Sequence, residues 1–172
     1  MHRGFVGAPA QSVEYRDYLR RSRRDTQQSF FVIEAQSDAL AGVVNINDIV
    51  RYTEQSGRLG YYAFTPFAGT GLMFEGLSLL IHRAFRDLKL HRLEANIQHN
   101  NVRSIALVEK LGFEREGTAR RFLKIGNRWC DHERWALLKE DWRQRTLARE
   151  RSRAAARSYP WLCAARTTNA RR

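Results

Sequence analysis

The chain has 172 residues, 43% of them hydrophobic and 28% charged, with a formal net charge of +12. That length holds one domain with a real core, and that composition excludes a disordered chain. Cys130 and Cys163 are too few and too far apart for a disulfide framework or a zinc site, no stretch has the apolar run of a membrane span or signal peptide, and a cytoplasmic location without membrane contact is expected.

Taken in chain order, residues 12–24 place Val13, Tyr15, Tyr18 and Leu19 at helical spacing behind Ser12, a residue suited to an N-cap. "SFFVIEA" and "AGVVNINDIV" are aromatic and β-branched runs, so 30–35 and 42–49 are predicted to form a hairpin. A third strand, 58–65, should close at Pro66, which has no amide for a ladder. After Gly71, the recurrence of Phe74, Leu77, Leu80, Ile81, Ala84 and Leu88 predicts an amphipathic helix, with Glu75, Ser78, His82, Arg83 and Asp87 on its other faces.

"RLEANI" alternates as a half-buried strand, with Leu93, Ala95 and Ile97 inward and Glu94, Asn96 and Gln98 outward. Asn100 or Asn101 is expected to cap a helix over 102–111 that ends at Gly112. "ARRFLKI" and "DHERWALL" read as strands around the turn Gly126-Asn127. This order describes an α/β or α+β domain with a mixed, mostly antiparallel sheet flanked by helices. The expected division is a domain over 1–143 and a basic, mobile tail over 144–172, where eight arginines face Glu150 for a local charge of +7. Such a balance points to an acidic partner, a class that covers nucleic acid, a ribosomal surface, an anionic membrane and a polyanionic cofactor, and does not choose among them.

The segment Phe67-Ala68-Gly69-Thr70-Gly71 leads from a strand into a helix start, where free amides and the helix dipole favour a phosphate and glycine permits close approach. An isolated G-x-G is more often a flexible turn. Neither a Walker loop nor a dinucleotide fingerprint fits, because Leu72-Met73 follows Gly71 and Phe74 stands where a third glycine is needed.

"GYYAFTPFAGTGLMFEGL", "LHRLEANIQHNNVRSIALVEKLGFEREG" and "RWCDHERWALL" together resemble the GNAT acetyltransferases, in the branch of ribosomal-protein N-terminal acetyltransferases, over about residues 30–142. The resemblance implies acetyl-coenzyme A as donor and no metal. It implies that Phe67, Ala68, Gly69, Thr70, Gly71, Leu72 and Met73 hold the pyrophosphate, while Ala63, Phe64 and Thr65 pair with the pantetheine arm. The main-chain amide of Ala63 or Phe64 would serve the oxyanion.

In "NNVRS", the resemblance gives Asn101 a contact with the cofactor arm and makes Ser104 the candidate for delivering a proton to the thiolate. On residue type alone, Asn101 is equally an N-cap. Many relatives carry a tyrosine four residues beyond Ser104, where this chain has Val108, so Ser104 or water must supply that proton. Asn96 stands where some relatives place a glutamate base, and as an amide it can only orient a water. Asp131 and His132 are the nearest titratable alternatives, with Glu94 as a further one.

Relatives begin with a strand and a helix before the segment that corresponds to 12–24, and only eleven residues precede Ser12 here. The expectation is therefore a fold without that first strand and helix, or one completed by another copy in a homodimer. Three functions are carried forward: acetylation of a protein N-terminus, acetylation of a small amine such as an antibiotic or polyamine, and a noncatalytic RNA or ribosome-binding module that uses the tail.

Overall fold

The computed structural model describes residues 13, 16–17, 20 and 25–158, with side chains to 148. Its elements are β1 (Gln28–Ile33), β2 (Leu40–Val50), β3 (Ser56–Ala63), α1 (Leu72–Arg86), β4 (Arg92–Ile97), α2 (Val102–Leu111), β5 (Glu114–Ile125), β6 (Arg128–Leu138) and α3 (Lys139–Ser158). Val13, Arg16, Asp17 and Arg20 are helical, in line with the pattern of 12–24. The expected absence of a first strand and helix concerns residues outside the described ones.

One six-stranded sheet runs in the order β1-β2-β3-β4-β6-β5. Every neighbouring pair is antiparallel except β3 with β4. The hairpin of β1 and β2 pairs Phe30 with Val44 and Phe31 with Val43. Strand β3 stops two residues before Thr65, and β5 and β6 extend well beyond the runs that announced them.

Alternation along the strands sorts the side chains into two faces. Val32, Val44, Ile46, Leu59 and Leu93 are buried on the helix-bearing face, under α1 residues Met73, Leu77, Leu80, Ile81, Ala84 and Phe85. Phe74 and Leu88, expected in that row, are only half-buried: the buried stripe of α1 begins at Met73 and includes Phe85 instead, and Leu88 lies beyond the helix end at Arg86. A Cβ added at Gly76 would lie 2.6 Å from Val32 Cγ2, so the absent side chain is what lets α1 approach β1.

The opposite face carries a polar row from neighbouring strands: Asn45 and Asn47 on β2, Arg58 on β3, Glu94 and Asn96 on β4, and His132 and Arg134 on β6. Compact units divide at Leu138/Lys139. The second unit contains α3, which runs continuously through the 143/144 position where the basic tail was expected to begin.

Candidate active site

The glycine segment forms a defined turn. Phe67 N donates to Phe64 O at 2.8 Å, and Phe67 O accepts from Thr70 N at 3.4 Å and Thr70 Oγ1 at 2.8 Å. Gly69 and Gly71 have φ of 87° and 95°, values at which an L side chain is strained. Gly71 is the N-cap of α1 and offers no side-chain acceptor, and the first bond of the helix runs from Glu75 N to Gly71 O at 3.1 Å.

Among the described residues, no acceptor is found for the amides of Ala68, Gly69, Gly71, Leu72 and Met73. They gather at the positive end of the α1 dipole. A Cβ built on Gly69 or Gly71 would meet nothing within 4 Å, so backbone conformation rather than crowding is what favours glycine at both positions. The Met73 side chain is buried, with its sulfur against Gly42, leaving only its amide for a ligand. Such a donor set fits an anion of the size of a pyrophosphate.

A gap opens beside this turn. Strands β3 and β4 pair only over Ser56–Arg58 and Arg92–Glu94. Beyond Arg58, β3 stays paired with β2 as far as Ala63, while β4 stays paired with β6 as far as Ile97. The two strands therefore part. Phe64 N donates to Ala41 O at 2.8 Å, which fixes the alternation of the ladder: amides of even-numbered β3 residues point to β2, and those of Tyr61 and Ala63 point into the gap. Of the two amides expected to serve an oxyanion, that of Phe64 is thus occupied, and that of Ala63 is directed to the gap.

Helix α2 begins at the far end of β4. Asn101 is its N-cap, with Oδ1 accepting from Ser104 N at 3.3 Å, and Gly112 closes the helix at φ 99°. Val108 is fully buried in the core. Tyr61, which the sequence reading passed over, donates from its hydroxyl to Ser104 O at 3.4 Å and so bridges β3 to the first turn of α2. Burial pushes its phenol up to about 12, against the opposing effect of hydrogen bonding with Ser104.

The candidate bases separate clearly. Glu94 is enclosed by cations: Arg92 Nε at 2.9 Å, Arg134 at 3.7 Å and Arg58 at 3.9 Å. Arg92 also holds Glu116, whose carboxyl is kept below its usual range by that guanidinium. Asp131 Oδ1 accepts from Arg121 N at 2.7 Å, within the bulge that separates Ala119 from Leu123. Its side chain leaves β6 on the face opposite His132.

His132 is 3% exposed and shares its face with Asn96, one strand away. Its Nδ1 lies 3.0 Å from Cys130 O. A carbonyl can only accept, so Nδ1 is the donor in this bond. Phe122 packs edge-on against the ring at 5.8 Å. Tyr61 and Ser104 meet on the helix-bearing face, Asn96 and His132 share the opposite face, and the Ala63 amide points into the gap between β3 and β4, while Glu94 and Asp131 are committed to structural partners.

No group of three or more His, Cys, Asp or Glu able to hold a metal occurs among the described residues, nor any helix long and apolar enough to cross a membrane.

The class of a protein with a sheet split beside a glycine-led helix start is given by comparison with known families. Residues 1–114 match the profile described as "Acetyltransferase (GNAT) domain", and the chain belongs to that family. Within it, the similarity runs to the ribosomal-protein-alanine branch. The chain is 37% identical to the [Ribosomal protein uS5]-alanine N-acetyltransferase of Escherichia coli, over 66% of this chain and 58% of that protein, and so spans less than two thirds of that relative. It is also 37% identical to the probable N-acetyltransferase YjcK of Bacillus subtilis, over 73% of this chain and 69% of that one. The crystal structure of the ribosomal-protein-S5-alanine acetyltransferase of Vibrio fischeri superposes with a TM-score of 0.67 at 26% identity, covering 76% of this chain and 72% of the other.

Proposed function

We propose that this chain moves an acetyl group from acetyl-coenzyme A to the N-terminal α-amine of a protein, with a ribosomal protein as the favoured acceptor. The observation that carries this reading is the gap between β3 and β4, with the Ala63 amide on its lip and, in the adjoining loop and first turn of α1, five amides for which no acceptor is found among the described residues. Family membership supports the donor, and the names of the relatives support the acceptor.

In this reading, Ala68, Gly69, Gly71, Leu72 and Met73 hold the pyrophosphate through their amides, and Phe67 and Thr70 shape the turn. The backbone of Ala63 and Thr65 aligns the pantetheine arm, with Phe64 anchoring the strand to β2. Asn101 contacts the arm through Nδ2, since its Oδ1 serves the cap. The Ala63 amide stabilises the oxyanion. Ser104 or water delivers the proton to the departing sulfur.

An α-amine has a reference pKa of about 7.7–8.0, so near neutrality a modest base suffices. His132 supplies it through Nε2, and Asn96 orients an intervening water. Asp131 keeps its role in the bulge.

Calorimetric titration with acetyl-coenzyme A, followed by assay of thiol release with an alanine-initiated peptide and with spermidine, tests the reading. Saturable binding with turnover of the peptide is expected; turnover of spermidine alone would replace the acceptor, and absence of binding by folded protein would overturn the whole reading. The +7 charge of residues 144–172 favours a separate contact with ribosomal RNA. Cosedimentation with ribosomes that is unchanged on removing that segment would dismiss it.

A further inference from the structure

We infer that Tyr61 is a hydrogen-bond donor to the sulfur that leaves during acetyl transfer, an inference that rests on the gap between β3 and β4 being the acetyl-coenzyme A site. Position and chemistry both carry it. Tyr61 lies two residues before Ala63 on the same strand, with its amide pointing the same way and its side chain on the same face. Its hydroxyl reaches across to Ser104, the residue the resemblance sets beside the thiol. The phenol thus stands between the oxyanion amide and the first turn of α2.

The helical position where many relatives carry a tyrosine is Val108, fully buried and without a polar atom in its side chain. Tyr61 brings a phenol to the first turn of α2, one turn before Val108. Its bond to the Ser104 carbonyl is long, 3.4 Å, near the limit of such contacts. Exchanging it for a bond to a charged acceptor is therefore favourable, because bonds to ions are shorter and about twice as strong.

The step balances without moving the phenol proton. The amine nitrogen forms its bond to the acetyl carbon, the carbon–sulfur bond breaks, and its electron pair stays on sulfur. Tyr61 O–H points at that charge and keeps its proton. The proton lost by the amine passes through His132 and water, and Ser104 or water returns one to the sulfur.

The test uses coenzyme A bound to the full chain and follows thiolate absorbance in the ultraviolet as pH rises. A donor to the thiolate lowers the thiol midpoint below that of free coenzyme A, and Tyr61→Phe should raise it again by about one unit, a tenfold change in ionisation constant. Ser104→Ala, which keeps the phenol, should leave most of the lowering in place. Equal midpoints in the wild-type complex and in free coenzyme A would overturn the inference without recourse to any variant, as would a lowering that survives in folded Tyr61→Phe. Failure of coenzyme A to bind the wild type would instead bring down the underlying reading of the gap.

Discussion

The Asp131 carboxylate accepts a 2.7 Å hydrogen bond from the Arg121 amide, and Arg121 itself stands at φ 49° in the bulge of β5. A bulge leaves an amide without a ladder partner, and Asp131 supplies the missing acceptor. Asp131→Ala should cost about 1–3 kcal/mol of stability in urea unfolding, and Asp131→Asn less. Neither should alter the pH profile of thiol release. A profile that loses its acidic limb in Asp131→Asn would return Asp131 to the chemistry.

His132 offers the contrasting case. Asn at 132 preserves an N–H near the place of Nδ1 for the Cys130 carbonyl but offers no basic nitrogen. His132→Asn should fold, bind acetyl-coenzyme A as the wild type does, and lose about a hundredfold or more in turnover near neutrality. The loss should shrink at higher pH, where more of the acceptor amine is already neutral. A uniform loss at every pH would reassign His132 to packing.

The proposed pyrophosphate site can be tested by separating strain from charge. Gly71→Ala places a Cβ in open space but at φ 95°, which costs about 1–2 kcal/mol. Gly71→Glu adds a carboxylate beside the loop amides. Both should unfold at similar urea concentrations, with acetyl-coenzyme A binding weakened further in Gly71→Glu and partly recovered by salt. Equal affinities for the two variants would mean that the pyrophosphate lies elsewhere.

Tyr61 also predicts an alkaline limit to stability. Its phenol is raised from 10.0 to about 12 in the folded chain, so the native state holds the proton more tightly than the unfolded state. The contribution is complete below pH 10 and fades as pH climbs through 12, by about 3 kcal/mol at most. The difference in unfolding free energy between wild type and Tyr61→Phe, followed from pH 8 to 12, should narrow over that window. A constant difference would show that the phenol is not buried in this way.

The contact between Gly76 and Val32 predicts coupling. Gly76→Ala gains about 1 kcal/mol in helix propensity and loses more to the 2.6 Å clash, for a net destabilisation of about 1 kcal/mol. With Val32→Ala also present the clash is gone, and the double variant should be more stable than Val32→Ala alone. Additive effects would refute the close approach of α1 to β1.

The periodic parts of the chain were readable from sequence. Leu77, Leu80, Ile81 and Ala84 are buried as their spacing required, and Leu93, Ala95 and Ile97 alternate inward. Phe74 was misjudged because a fixed spacing cannot tell which edge of a helical stripe meets the sheet, and Leu88 because the spacing runs on past the helix end at Arg86. Strands β5 and β6 were underestimated because their outer parts are exposed and lack an apolar alternation.

The site was legible only where it is local. Gly69, Gly71 and Asn101 act within a few residues of themselves, and their turn and cap geometry follows from residue type. Tyr61 could not be found that way, since the bond from its hydroxyl to the Ser104 carbonyl joins segments more than forty residues apart. One signal was present: in "GYYA" the first tyrosine shares its parity with Ala63. Glu94 likewise looked available as a base until three strands brought Arg58, Arg92 and Arg134 to it.

The short seam between β3 and β4 ends where Arg58 pairs with Glu94, and the Glu94 carboxylate there also meets Arg134 of β6. In mechanical language the split in the sheet is a crack, and this cluster sits at its tip. Ladder bonds alone would allow the crack to run one residue pair at a time toward Ser56. Advancing past Arg58 would instead require pulling apart charges gathered from three strands, so the cluster acts as a stop that fixes how deep the opening goes.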